Sequence, residues 1–231
     1  LIRREGSEMT GRELIMIGKR RAQNSNWTAK RRQFSLALIL MVATIVMVNF
    51  EVIASAKADF KDGWNAYQNG NFIGALKIWK PLAEKGDPRA QFNIGVMFAE
   101  GKGRAQSYKR AIQWWKRAAQ NGDAQAQHNI AMAYIVGNGV EQNYEQAVNW
   151  LKKASKLGLV RSQYALGRMY DYGFGIARDQ VKAAKYVSLA AEKGFDKAQY
   201  NLGKRYRDGK GVSRNLELSA KWFLAAAEQG H

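Results

Sequence analysis

The 231-residue chain contains no cysteine. Disulfides, thiol catalysis and zinc–thiolate sites are therefore excluded. Histidine is scarce too: only His128 and His231 occur. They do not have metal-ligand spacing, so neither a metal nor any other cofactor is expected. No serine is followed three residues later by lysine, and the Ser-x-x-Lys signature of penicillin-recognising enzymes is thus missing. Gly101-Lys102-Gly103 superficially suggests a phosphate loop. However, Gln106 stands where a third glycine is needed and no Ser or Thr follows Lys102, so nucleotide binding is not indicated. Acidic residues are few against basic ones, 19 against 37. A chain so basic is expected to meet acidic surfaces.

The N-terminal region has a different character from the rest. Lys19 to Arg32 carries six basic residues and no acidic one, and Phe34 to Phe50 is seventeen residues without a charge. Ala54-Ser55-Ala56 then fits a small-x-small cleavage site. Residues 1–56 therefore read as a secretory signal with its apolar segment at 34–50, cleaved after Ala56. The alternative is an uncleaved anchor, since seventeen apolar residues just span a bilayer. Basic flanks stay cytoplasmic, so both readings export the chain beyond Ala56. The expected location is the periplasm, with inner-membrane anchoring or secretion as alternatives. Export argues against nucleic acid as a partner. The remaining chain keeps 28 basic and 15 acidic residues.

From residue 88 the chain repeats every 36 residues, in units of about 88–123, 124–159, 160–195 and 196–231. Each opens on a small residue and Gln: Ala90-Gln91, Ala126-Gln127, Ser162-Gln163, Ala198-Gln199. A small column follows at Gly95, Ala131, Gly167 and Gly203, then an aromatic one at Phe98, Tyr134, Tyr170 and Tyr206. After a Gly-x-Gly pair come Ala111, Ala147, Ala183, Ser219 and the aromatics Trp114, Trp150, Tyr186, Trp222. A glycine closes each unit. A period of this length signals stacked supersecondary units. The columns predict two helices per unit, about Arg89–Glu100 and Tyr108–Asn121 in the first, with the small residues at their crossing. The Gly-x-Gly pair reads as a helix stop and hairpin turn. Val140, Ile176 and Val212 follow it in three units and read as a pin for the loop, a pin that the first unit, with Arg104 there, lacks. Residues 57–87 form a shorter hairpin with a loop four residues shorter. Its second helix contains Pro81, where a kink or early break is expected. Trp114 and Trp115 both read as core. His128, in the column of Phe92, Tyr164 and Tyr200, reads as an aromatic substitute.

The recurring "AQxxxGxxYxxGxG…A…W…AA…G" pattern resembles the Sel-one-like repeat family, a branch of tetratricopeptide-like proteins. The resemblance covers residues 60–231. It implies an all-α, right-handed α-solenoid that binds other proteins. Exported bacterial members are associated with envelope signalling, host contact and, in cysteine-rich cases, penicillin binding. The missing cysteines make that last association transfer poorly.

Tetratricopeptide-like solenoids bind along one side of their first helices. By that resemblance the candidate groove columns are Arg89, Gln125, Arg161, Lys197, then Phe92, His128, Tyr164, Tyr200, then Val96, Met132, Arg168, Lys204. The C-terminal half is the basic one, and Arg161, Tyr164, Arg168, Lys197, Tyr200 and Lys204 are the candidate binding residues. The reading is a non-catalytic interaction scaffold of the bacterial envelope whose partner is a protein or an acidic polymer. The alternative is an envelope hydrolase, β-lactamase-like or acting on peptidoglycan. The chain stops at Gly230-His231 without a further polar helix. Apolar surface is expected there, in contact with a partner or a second copy of the chain.

Overall fold

A computed structural model describes residues 59–230, which form ten helices and no strand. The signal segment and its cleavage site lie outside these residues. A leading hairpin consists of α1 (Phe60–Gln68) and α2 (Phe72–Glu84). Four longer hairpins follow: α3 (Pro88–Glu100) with α4 (Tyr108–Gln120), α5 (Ala124–Val136) with α6 (Tyr144–Lys156), α7 (Val160–Tyr172) with α8 (Gln180–Glu192), and α9 (Asp196–Asp208) with α10 (Leu216–Ala227). Each helix packs on its neighbours in the chain, most closely within its own hairpin. The fold is thus an α-solenoid of repeated helix pairs. Among the described residues no helix is long and apolar enough to cross a membrane.

The small column sits at the crossing inside each hairpin. A Cβ on Gly167 would stand 2.9 Å from Val187 Cγ2 and 3.2 Å from the Ala183 carbonyl oxygen, and one on Gly203 would stand 2.9 Å from the Phe223 ring. Glycine here lets the second helix approach without overpacking. The facing residues are not the Trp114 column but its neighbours. Trp115 is 5% exposed, with Leu151 and Val187 in the same role, while Trp114 and Trp150 are only partly buried. The reading of Trp114 as core is corrected: it lies on the core's edge, with Arg117 over its ring at 4.7 Å.

Each Gly-x-Gly pair has two separate tasks. The first glycine (Gly101, Gly137, Gly173, Gly209) ends the first helix in the left-handed conformation. The second (Gly103, Gly139, Gly175, Gly211) also has positive φ, and it lies against the start of the preceding hairpin's second helix. The loop with Arg104 keeps this geometry. The Arg104 guanidinium covers the Phe98 ring at 4.1 Å, replacing the apolar pin of the other units. Burial, with Arg110 nearby, lowers its pKa. The expected break at Pro81 is also absent: α2 runs on to Glu84. Proline has no amide proton to give the Lys77 carbonyl, so that one helical hydrogen bond is missing.

The repeat's glutamine ties successive units together. Gln91, Gln127, Gln163 and Gln199 are buried, and each donates its Nε2 to the carbonyl eight residues earlier, at 2.8 to 3.5 Å. That carbonyl belongs to the last turn of the preceding helix, where it also accepts the N–H of the closing glycine, Gly86, Gly122, Gly158 or Gly194, so the glutamine takes its second lone pair. Aspartate, asparagine or serine side chains cap eight of the ten helices; α7 and α9 start at Leu159 and Phe195 without such a bond. At the C-terminal side, α10 exposes Leu216 and Leu224.

Candidate functional site

The first helices α3, α5, α7 and α9 present one shared face, and the Gly-x-Gly loops border it. Two cavities of about 320 Å³ open on it. The first lies between α3 and α5, lined mainly by apolar side chains, Val96, Trp115, Met132 and Val136 among them, with Glu100, Asn129 and Asn138 at its polar parts. The second lies between α7 and α9. There, two repeat periods on, Met132, Ala133 and Val136 are replaced by Lys204, Arg205 and Asp208. The two are the same architectural position, the first mainly apolar and without a cation, the second with four cationic side chains. At the junction between them, Tyr144, Phe174 and Tyr172 stack with centroids 5.2 and 5.6 Å apart.

Arg205 organises the second cavity. Its side chain is nearly fully buried, 2.8 Å from Asp171. It also donates to Gln180 Oε1 and to the Lys210 carbonyl. Asp208, also on the wall, is held by Arg207 at 2.8 Å, and that ion pair is the largest influence lowering its pKa. Both carboxylates are therefore engaged, while Arg178, Lys204 and Lys210 line the same space.

The six residues named from sequence do not form one cluster. Lys204 lines the second cavity, and Arg168 reaches its rim through Tyr172, whose ring centroid is 5.4 Å from the Arg168 guanidinium carbon. Arg161 and Lys197 stand two turns away, near the start of α7 and α9, exposed. Arg161 is close enough to His128 to influence its titration. Tyr200 is 41% exposed, packed on Phe223, with the Lys204 ammonium 5.8 Å from its centroid. Tyr164 is half-buried against Phe195. Its hydroxyl accepts a 2.6 Å bond from Asn201, and burial raises its pKa. It joins α7 to α9 rather than facing outward. Sequence reasoning missed Tyr172, Phe174, Arg178 and Lys210. A signal existed for two of them: the middle residue of Gly-x-Gly changes from Asn138 to Phe174 to Lys210 along the chain.

His128 is half-buried, its Nδ1 2.9 Å from Ser162 Oγ. Burial, helped by Arg161, lowers its pKa to about 4. The pair has the outline of a nucleophile and its base, but Ser162 has no exposed surface. No substrate reaches it, and the contact joins α5 to α7. Lys102 also has a structural task. Its ammonium bonds Glu100 at 2.8 Å and the Tyr67 hydroxyl at 2.9 Å, tying the leading hairpin to α3. Among the described residues no group of His, Cys, Asp and Glu is placed to hold a metal ion.

The Sel1 repeat model matches residues 88–123, 124–159, 160–195 and 196–231. The chain is similar to the crystal structure of a protective antigen of uropathogenic Escherichia coli that displays an SLR fold. Identity is 38% and the TM-score 0.66, over 68% of this chain and 33% of that one. It is also similar to a Sel1 repeat protein from Oxalobacter formigenes, with 29% identity and a TM-score of 0.63, over 68% of this chain and 62% of that one. The match thus spans a third and somewhat under two thirds of these relatives. No curated protein matches the chain.

Proposed function

The chain belongs to the Sel1 repeat family, whose repeats are generally protein–protein interaction scaffolds, and on that premise we propose that it is a non-catalytic adaptor of the bacterial cell envelope that binds an acidic segment of a partner. The observation that carries this reading is the charged cavity between α7 and α9. Four cationic side chains, Arg178, Lys204, Arg205 and Lys210, line it against two carboxylates, Asp171 and Asp208, and both carboxylates are already paired. Arg168 and Tyr172 extend the cationic surface beside it. Attraction there acts through exposed groups, so it is screened by salt over about 8 Å at physiological ionic strength. Placement in the envelope is supported by the basic and apolar segments of residues 1–56.

The test is charge reversal with a matched control. Arg168→Glu with Lys204→Glu should abolish capture of the in-cell cross-linked partner while the helical circular-dichroism signal stays unchanged. Lys77→Glu with Lys109→Glu, exposed residues outside the groove columns and the charged cavity, should leave capture intact. Equal loss from the two double variants would show that net basic charge acts without a defined site.

A further inference from the structure

The two cavities occupy one position in the repeat, yet no single uniform ligand suits both. In the first, Met132 and Val136 are 38% and 59% exposed. A carboxylate laid against them would lose water to apolar side chains and meet no cation, with the Glu100 carboxylate on the same wall. In the second, an apolar residue would cover Lys204 and Lys210 and leave them unpaired, again at a cost. Between the two stands the Tyr144–Phe174–Tyr172 stack, with Tyr172 56% and Phe174 47% exposed.

We infer that the ligand of this face is an extended peptide segment in two blocks, with apolar residues seated at Met132 and Val136 and acidic residues at Lys204 and Lys210. The exposed rings of Tyr172 and Phe174 carry the join, where either block gains contact. This rests on the proposal that the face binds an acidic segment. The two cavities are two repeats apart, and each step crosses at least one helix spacing of about 8–10 Å. The span is therefore at least about 16 Å, and an extended chain advancing roughly 3.3 Å per residue needs about five residues or more to cover it. The ligand's order of residues, and not its net charge alone, decides affinity.

The test uses the full chain and fluorescein-labelled ten-residue peptides read by anisotropy. One pair carries four Leu or Val, two Ser and four Glu, in each of the two block orders. One control has the same composition with Glu and the apolar residues alternating, and a second has Ser in place of every Leu or Val. At least one block order should bind about tenfold or more tighter than both controls. Val136→Lys, at an exposed position that leaves folding intact, should reduce that peptide to the level of the Ser control without weakening the Ser control itself. If the block peptides bind no better than either control, the two-block inference is overturned while binding of acidic segments stands. If none of the peptides binds, both the inference and the reading beneath it fall.

Discussion

The side-chain amide of Asn121 stands 3.1 Å from Oε1 of Gln91, thirty residues earlier, and it donates there and to the Gly86 carbonyl. Gln229 makes the equivalent contact to Gln199 at 2.6 Å. In the two middle repeats this partner is lost. Leu157 has no polar group to offer, and Lys193 turns to the Gly158 carbonyl instead. Correspondingly, Oε1 of Gln127 and of Gln163 are buried with no hydrogen-bond partner.

Leu157→Asn should therefore stabilise the protein. Leu157 is 56% exposed, so little apolar burial is lost. A bond to a buried, unsatisfied acceptor contributes about 1 kcal/mol. The melting temperature should rise by about 2–4 °C for a chain of this size, and the gain should vanish in a Gln127→Leu background.

The two glycines of one turn should differ in tolerance. Gly173 has φ +75°, but a Cβ there would meet nothing closer than 3.5 Å. Gly173→Ala should cost only the left-handed penalty, about 1–2 kcal/mol. Gly175, at φ +65°, has no room, because a Cβ would overlap the Tyr144 carbonyl. Gly175→Ala should melt distinctly lower than Gly173→Ala, since the loop must leave its seat on α6. Equal melting temperatures would show that the seat contributes nothing.

That contrast marks how far the sequence could be read. The helix stop was legible, because a recurring glycine after a periodic run has a local cause. The second glycine's seat was not, because its reason lies on the preceding hairpin. The same divide separates Trp114 from Trp115. Both columns are filled by large apolar residues, Trp114, Trp150, Tyr186 and Trp222 beside Trp115, Leu151, Val187 and Phe223, and only the crossing at Gly95, where a Cβ would collide with the Trp115 ring, decides which is inside. The glutamine column was visible without its acceptor, the carbonyl eight residues back. For the candidate site, Arg168 and Lys204 were visible as members of a column. The cavity was not, because α7, α8, α9 and two loops, through Arg178 and Lys210, all contribute to it.

His128 predicts a pH dependence. Its pKa is lowered to about 4 in the folded protein by burial and by Arg161, against about 6.5 in an unfolded chain. The unfolded chain therefore takes up a proton first as pH falls through 6.5, and stability drops until the folded ring also titrates near 4. At about 1.36 kcal/mol per pKa unit, the loss attributable to this ring is on the order of 3 kcal/mol. His128→Phe, which restores the aromatic of Phe92 at the same column position, should flatten denaturation midpoints between pH 6.5 and 4 relative to wild type. Parallel curves would place the acid sensitivity elsewhere.

Tyr164 and Tyr200 occupy the same column yet should separate by experiment. The Tyr164 hydroxyl is held by Asn201 at 2.6 Å, and its ring lies edge-on against Phe195, 5.2 Å between centroids. Removing the hydroxyl leaves Asn201 Nδ2 with only its bond to the Lys197 carbonyl. Tyr164→Phe should thus cost about 0.5–1.5 kcal/mol of stability while leaving affinity for a glutamate-rich peptide within about twofold. Tyr200→Ser removes an exposed ring beside the Lys204 ammonium. An exposed aromatic ring there offers apolar contact to a ligand, so peptide affinity should fall several-fold, because the Tyr200 ring is 41% exposed where Tyr164 is half-buried against its neighbours. Anisotropy titration and thermal melts on both variants check the division. A Tyr164→Phe protein that melts like wild type but binds poorly would move Tyr164 from the repeat junction to the binding face.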